Sequence, residues 1–280
     1  MKSIFGRPLQ IEGALWLGIF LFSLSATPAF AEESSNLSKA LKSGKKEIQF
    51  SGKEKESVRI PKGVRVIGSS PEKAVISSDI TMSDGSSLSN VTVNGKAISI
   101  TIDKGASVSL TNVTVTGASD AGIFAPKGGG TLTISNSRIR QNRKGLFLLS
   151  GKQLVLSGSS ITNNQEEGLD MHAGTGGSIT GSTFANNKEG GVEVIINGSS
   201  FTMSGNTFSG NASSGIALQS YGGGGGGAKT GSFVITGNTF SGNGNFGIDC
   251  KNPLGTGGAF FGSSAKATDT TVLLFFALRN

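Results

Sequence analysis

The sequence contains one cysteine in 280 residues, Cys250, so no internal disulfide can form. Packing and hydrogen bonds must carry the stability. No long helical or heptad periodicity runs through the body of the chain, which argues against a helix bundle or coiled coil. After residue 31 nothing reads as a membrane-spanning helix. What is present is glycine, 44 residues of it, with Ser, Thr and Asn throughout and Val, Ile, Leu or Phe at regular intervals. That pattern predicts short strands between tight turns.

The first 31 residues read as an export signal: Lys2 and Arg7, the apolar run Ala14 to Ala26, then small residues at Ala29 and Ala31. Cleavage before Glu32 leaves 249 residues, the size of one large all-β domain. Residues 32–47 are expected to form an N-terminal cap. In it Asn36 would cap a short helix with Leu37, Ala40 and Leu41 on one face and Gly44 as its stop. Residues 48–256 form the repetitive body, and 257–280 a tail or cap whose apolar run, Thr271 to Asn280, is expected to cover the last coil. The formal charge is +7, concentrated in Lys39 to Lys73 and in Arg138, Arg140, Arg143 and Lys144. In an exported protein this favours an anionic polymer or envelope surface over nucleic acid as partner.

The body repeats. One apolar position recurs at Val93, Val115, Ile139, Ile161, Phe184, Phe208 and Phe240, at steps of 22, 24, 22, 23, 24 and 32. The last step contains the insertion Tyr221 to Gly231, expected to be a mobile surface loop. From Ile139 on, an Asn follows three residues later: Asn142, Asn164, Asn187, Asn211 and Asn243. A Gly-aliphatic step comes next, as in Gly145-Leu146 and Gly168-Leu169. A period near 23 that tolerates an insertion predicts a stacked solenoid, with Asn and Gly supplying left-handed corners. The expected fold is all-β, a single-stranded right-handed parallel β-helix with coils of about 22–24 residues and a short N-terminal capping helix.

Over roughly Ile48 to Cys250 the chain resembles the pectate-lyase-like superfamily and the generic β-helix repeat proteins of bacterial envelopes. The stretch "VRIPKGVRVIGSSPEKAVI" (Val58 to Ile76) is similar to that family's first coils. "FSGN" and "FANN" resemble the FxxN repeats of chlamydial polymorphic membrane proteins. The resemblance implies fold more than activity, because the superfamily includes lyases, hydrolases, esterases, tailspikes and non-catalytic adhesins.

Function is sought where the coils differ. The second residue after each Gly step gives an outward column Phe124, Phe147, Asp170, Glu193, Ala217, Asp249; the fourth gives Pro126, Leu149, His172, Ile195, Gln219, Lys251. Asp170 and Glu193 should stack about 5 Å apart, which is unfavourable unless a cation, a basic neighbour or a raised pKa relieves it. Asp170, His172 and Glu193 are therefore the catalytic candidates, as a glycosidase-type carboxyl pair with an acid or base. Asp170 and Glu193 are also the candidate Ca²⁺ ligands. Phe147, Tyr221, Asp249, Lys251, Arg143 and Lys144 are the candidate substrate-binding residues. Arg143-Lys144 and Glu166-Glu167, on successive coils, read as a ladder of surface ion pairs, and Cys250 as core. The expected function is an exported β-helix that binds, and in the stronger form processes, an envelope or extracellular polysaccharide. The alternatives are a non-catalytic structural or adhesive solenoid, and a polysaccharide lyase or glycoside hydrolase.

Overall fold

Residues 34–219, 230–251, 258–262 and 272–277 are described in the computed structural model. The expected export signal, Tyr221 and Gly222 to Gly227 lie outside them, and of Cys250 and Lys251 only the backbone is described. The short alternating runs form strands because every second side chain points inward and the next coil supplies hydrogen bonds at the same height. Each coil adds one strand to each of three sheets, which hold ten, nine and ten strands. The described residues form an all-β, right-handed parallel solenoid with a single short helix among them.

The recurring apolar position is one vertical column of the second sheet. Val93, Val115, Ile139, Ile161, Phe184, Phe208 and Phe240 pair in register from coil to coil, and all are buried. The rings of Phe184, Phe208 and Phe240 stack with centroids 5.1 Å apart and planes 10° from parallel.

The asparagines divide two tasks that the sequence alone assigns to one residue. Asn142, Asn164, Asn187, Asn211 and Asn243 are buried and form a ladder inside the corner between the second and third sheets. Each side-chain Nδ2 donates to the Oδ1 of the Asn on the next coil, at 2.9–3.2 Å. Each backbone N–H donates to that same oxygen. The left-handed corners fall instead to Asn90, Asn112, Asn136, Asn163 and Asn186, with φ between 49° and 57°. A second buried rung joins Asn206 to Asn238 at 2.9 Å.

Both ends are covered. The helix spans Leu37–Leu41, and the Asn36 side chain accepts from the Lys39 N–H at 2.7 Å. Leu37 is buried, while Ala40 and Leu41 pack against the core. At the other end Val272–Ala277 pairs antiparallel with Thr230–Thr236, and Gly258–Gly262 with Phe246–Lys251, so the edges of the first and third sheets are closed. The apolar tail thus pairs with the last coil, as expected.

One cap residue escaped the sequence reading. Glu54, buried, accepts from the backbone N–H groups of Ser38, Lys55 and Glu56 at 2.8, 2.9 and 2.9 Å. Burial works against its charge, but these hydrogen bonds prevail and hold the carboxyl below its ordinary range. Such a group contributes stability that is present above the ordinary carboxyl pKa and lost as pH falls through the depressed one. Glu54→Gln should therefore cost about 1–2 kcal/mol at neutral pH. Urea unfolding at pH 7 should show that gap, and the gap should narrow as pH falls below the ordinary carboxyl range.

Candidate functional site

The site grows out of the corner that follows the Asn ladder. At its Gly step a Cβ on Gly145, Gly168, Gly191 or Gly215 would lie 2.2–2.7 Å from the carbonyl oxygen of the corresponding glycine one coil on. Only glycine lets the coils approach here. The chain then enters the third sheet with its outward positions in fixed register: Phe124, Phe147, Asp170, Glu193, Ala217 and Asp249 are successive partners. The column extends the other way through Thr101 and Thr81 to Arg59. The expected stack of Asp170 on Glu193 is present.

Its electrostatics differ from a bare acidic column. Asp170 is 6 % exposed and Asp249 4 %. Lys144 Nζ donates to Asp170 Oδ2 at 2.8 Å and to Glu167 Oε2 at 2.7 Å. It also lies 5.5 Å from the centroid of the Phe147 ring. Burial opposes the ammonium, but the hydrogen bonds to Asp170 and Glu167 outweigh it and hold Lys144 above the ordinary lysine range. Arg143 does form the expected outer ladder, 2.9 Å from Glu166 and 3.2 Å from Asp120. The Lys144 half of that ladder is largely buried, which corrects its reading as a surface pair.

Glu167 and Glu189 were not among the candidate site residues, although the acidic pair Glu166-Glu167 and its coil-to-coil offset mark the place. Their carboxyls lie within hydrogen-bonding reach of each other, and each perturbs the other's proton affinity. The charge resides on Glu167: burial opposes it, but Glu189 and Lys144 hydrogen-bond it and depress its pKa. Glu189 is pushed up to about 7 by the hydrogen bond to Glu167, then by desolvation and by the charges of Glu167 and Glu166.

The aromatic part lies beside this network. Phe124 and Phe147, both half-buried, have ring centroids 5.6 Å apart, and His172 meets Phe147 edge-on at 5.3 Å. His172 Nε2 is 4.0 Å from Asp170 Oδ1. Glu193 Oε2 accepts from Gln219 Nε2 at 2.5 Å. The structure thus brings Phe147, Asp170, His172, Glu193, Arg143 and Lys144 to one side of the solenoid. Asp249 stands two coils beyond Glu193, and the Lys251 backbone pairs with Gln219. Tyr221 lies outside the described residues. Among the described residues no group of three or more His, Cys, Asp or Glu is arranged to hold a metal ion. Relief of the acidic column comes from a basic neighbour, Lys144.

Residues 78–225, just over half of the sequence, match the family described as the right-handed β-helix region. The chain belongs to that family. Among solved structures the β-helix is similar to the Dettilon tailspike protein, with a TM-score of 0.56 and 15 % identity over 74 % of this chain and 45 % of that one. It thus spans under half the length of the tailspike it matches. A second likeness, to the A-module of the Azotobacter vinelandii mannuronan C-5 epimerase AlgE4, has a TM-score of 0.40 and 16 % identity over 75 % of this chain and 84 % of that one. No curated protein matches the sequence. At 15 % identity the likeness to the tailspike shows the β-helix fold alone and leaves activity to the residues of the site.

Proposed function

We propose that this is an exported β-helix protein that binds an envelope or extracellular polysaccharide along the outer face of the third sheet, from Phe124 towards Lys251. The observation that carries this reading is the pair of half-buried rings, Phe124 and Phe147, bordered by His172 and by the fixed ammonium of Lys144. Flat apolar rings suit the C–H faces of sugars, while Asp170 and Glu193 offer acceptors to hydroxyl groups. The export reading rests on residues 1–31. It is compatible with the finding that no helix among the described residues is long and apolar enough to cross a membrane.

A second reading, processing of the bound glycan, is favoured by Glu189, whose carboxyl is pushed up to about 7 by its neighbour Glu167 beside the Lys144–Asp170 pair. In it Asp170, His172 and Glu193 remain the proposed acid–base set, with Glu189 added as a proton donor. A Ca²⁺ ion between Asp170 and Glu193 belongs to the same reading. A glycan array with and without Ca²⁺, followed by product analysis on any hit, tests both. Phe147→Ala should weaken binding about tenfold or more. Unchanged binding by that variant would place the glycan elsewhere. Products that disappear in Asp170→Asn and Glu189→Gln would establish processing, and a bound glycan recovered intact would leave binding alone.

A further inference from the structure

A second charged surface lies at the other end of the molecule and plays no part in the aromatic face. Residues 34–73 hold ten Lys or Arg against four Asp or Glu, six of the chain's seven net positive charges in forty residues. Both arginines and Lys62 are paired, Arg59 with Asp103, Arg65 with Glu47 and Lys62 with Asp84. The other seven lysines of this segment make no ion pair among the described residues. The buried Glu54 pairs with none of them, since its carboxylate oxygens accept from backbone N–H groups.

Three of these lysines, Lys39, Lys42 and Lys45, line a cavity of about 540 Å³ between the helix Leu37–Leu41 and the first strand, Glu47–Phe50. All three are exposed. Among the described lining residues there is one carboxylate, Glu47, and it is bound to Arg65. Among the described residues the cavity therefore presents three ammonium groups around a concave floor with no ion pair to any of them.

The chemistry of the lining narrows the partner. No aromatic side chain is among the described lining residues, so none of them offers a surface for bases to stack on. The helix turns Leu37, Ala40 and Leu41 toward the core, and the apolar residues among the described lining are Ala40 and the buried Ile48, too little apolar surface to enter a bilayer. No arginine is among the described lining residues, and lysine, a point charge that commonly binds phosphate, lacks the planar fork that grips a carboxylate bidentately. We propose that this lysine-lined cavity is a docking site for the phosphate groups of an anionic phosphate-bearing polymer, distinct from the glycan face of the third sheet.

The test uses long-chain inorganic polyphosphate as probe and compares two triple variants of identical net charge. Lys39→Gln/Lys42→Gln/Lys45→Gln should weaken polyphosphate binding at low salt at least about tenfold. Lys96→Gln/Lys104→Gln/Lys127→Gln should leave it within about twofold, because those lysines lie outside the cavity and surface charges beyond a Debye length are screened. Equal losses in the two triples would reduce the effect to net charge and overturn the site. So would wild-type binding in the first triple, or polygalacturonate binding as tightly as polyphosphate. Binding to phosphatidylglycerol vesicles without binding to polyphosphate would assign the surface to a membrane and also overturn it. Phe147→Ala should bind polyphosphate like wild type, so failure of this proposal and failure of the glycan face are read separately.

Discussion

Replacing Phe184 with alanine is expected to cost about 3–5 kcal/mol, among the largest effects of any single substitution in this chain. Its ring is fully buried and stacks on Phe208 at 5.1 Å, while the residue below it in register is Ile161. Truncation removes a large apolar surface and leaves a cavity that neighbouring coils cannot close, because their heights are set by the backbone ladders on both sides. Stability in a solenoid is shared between adjacent coils, so the loss should spread. Denaturant unfolding should report the total. Hydrogen exchange should show faster opening at Ile161 and Phe208, and much less change near Val93, four coils away in the column. A loss under about 1 kcal/mol would mean that the column does not bear on stability as its burial requires.

Lys144→Met is the second large effect, about 3–5 kcal/mol near neutral pH. The substitution keeps most of the apolar stem but leaves Asp170 and Glu167, both nearly buried, without the ammonium now 2.8 and 2.7 Å away. Stripped of the ammonium, the buried Glu167 should take up a proton more readily, because the desolvation that opposes its charge is then no longer offset by Lys144 and its folded-state pKa rises. A raised carboxyl pKa favours the folded state most at low pH. The deficit of the variant should accordingly shrink as pH falls toward about 4 and be widest above neutrality. Thermal or urea unfolding across that range checks the sign. Adding Asp170→Asn should recover part of the loss, because one of the stranded charges is then gone. A deficit independent of pH would point to lost packing of the lysine stem instead.

Much of the fold could be read from the chain. The apolar column, its period, the inward and outward alternation of the third sheet, the Asn36 cap and the pairing of the apolar tail were all legible. So was the stack of Asp170 on Glu193, because no insertion separates them. The candidate site was legible as a list of side chains on one face, but its connections were not. Asp170 reads as a carboxylate stacked on another carboxylate, whereas Lys144, 26 residues earlier, is its hydrogen-bond partner. Glu54 reads as one of several charges in a basic segment and proves to be a buried acceptor for three backbone amides.

The division has a physical cause. Coil period, strand alternation and burial of the recurring apolar residue depend on backbone geometry that repeats, and a repeating sequence displays it. The corner before the third sheet changes length once. The step from Asn142 to Gly145 is three residues, whereas from Asn164 to Gly168, and at each later corner, it is four. The added residue gives Glu167 its place against the sheet, beneath Lys144 and beside Glu189. By itself the sequence determined which residues face in, which face out and which stack, since these follow from periodicity. Only the tertiary structure decided which outward charges meet, which are desolvated and which hold a proton, since these depend on side-chain reach across coils at a corner where the period breaks.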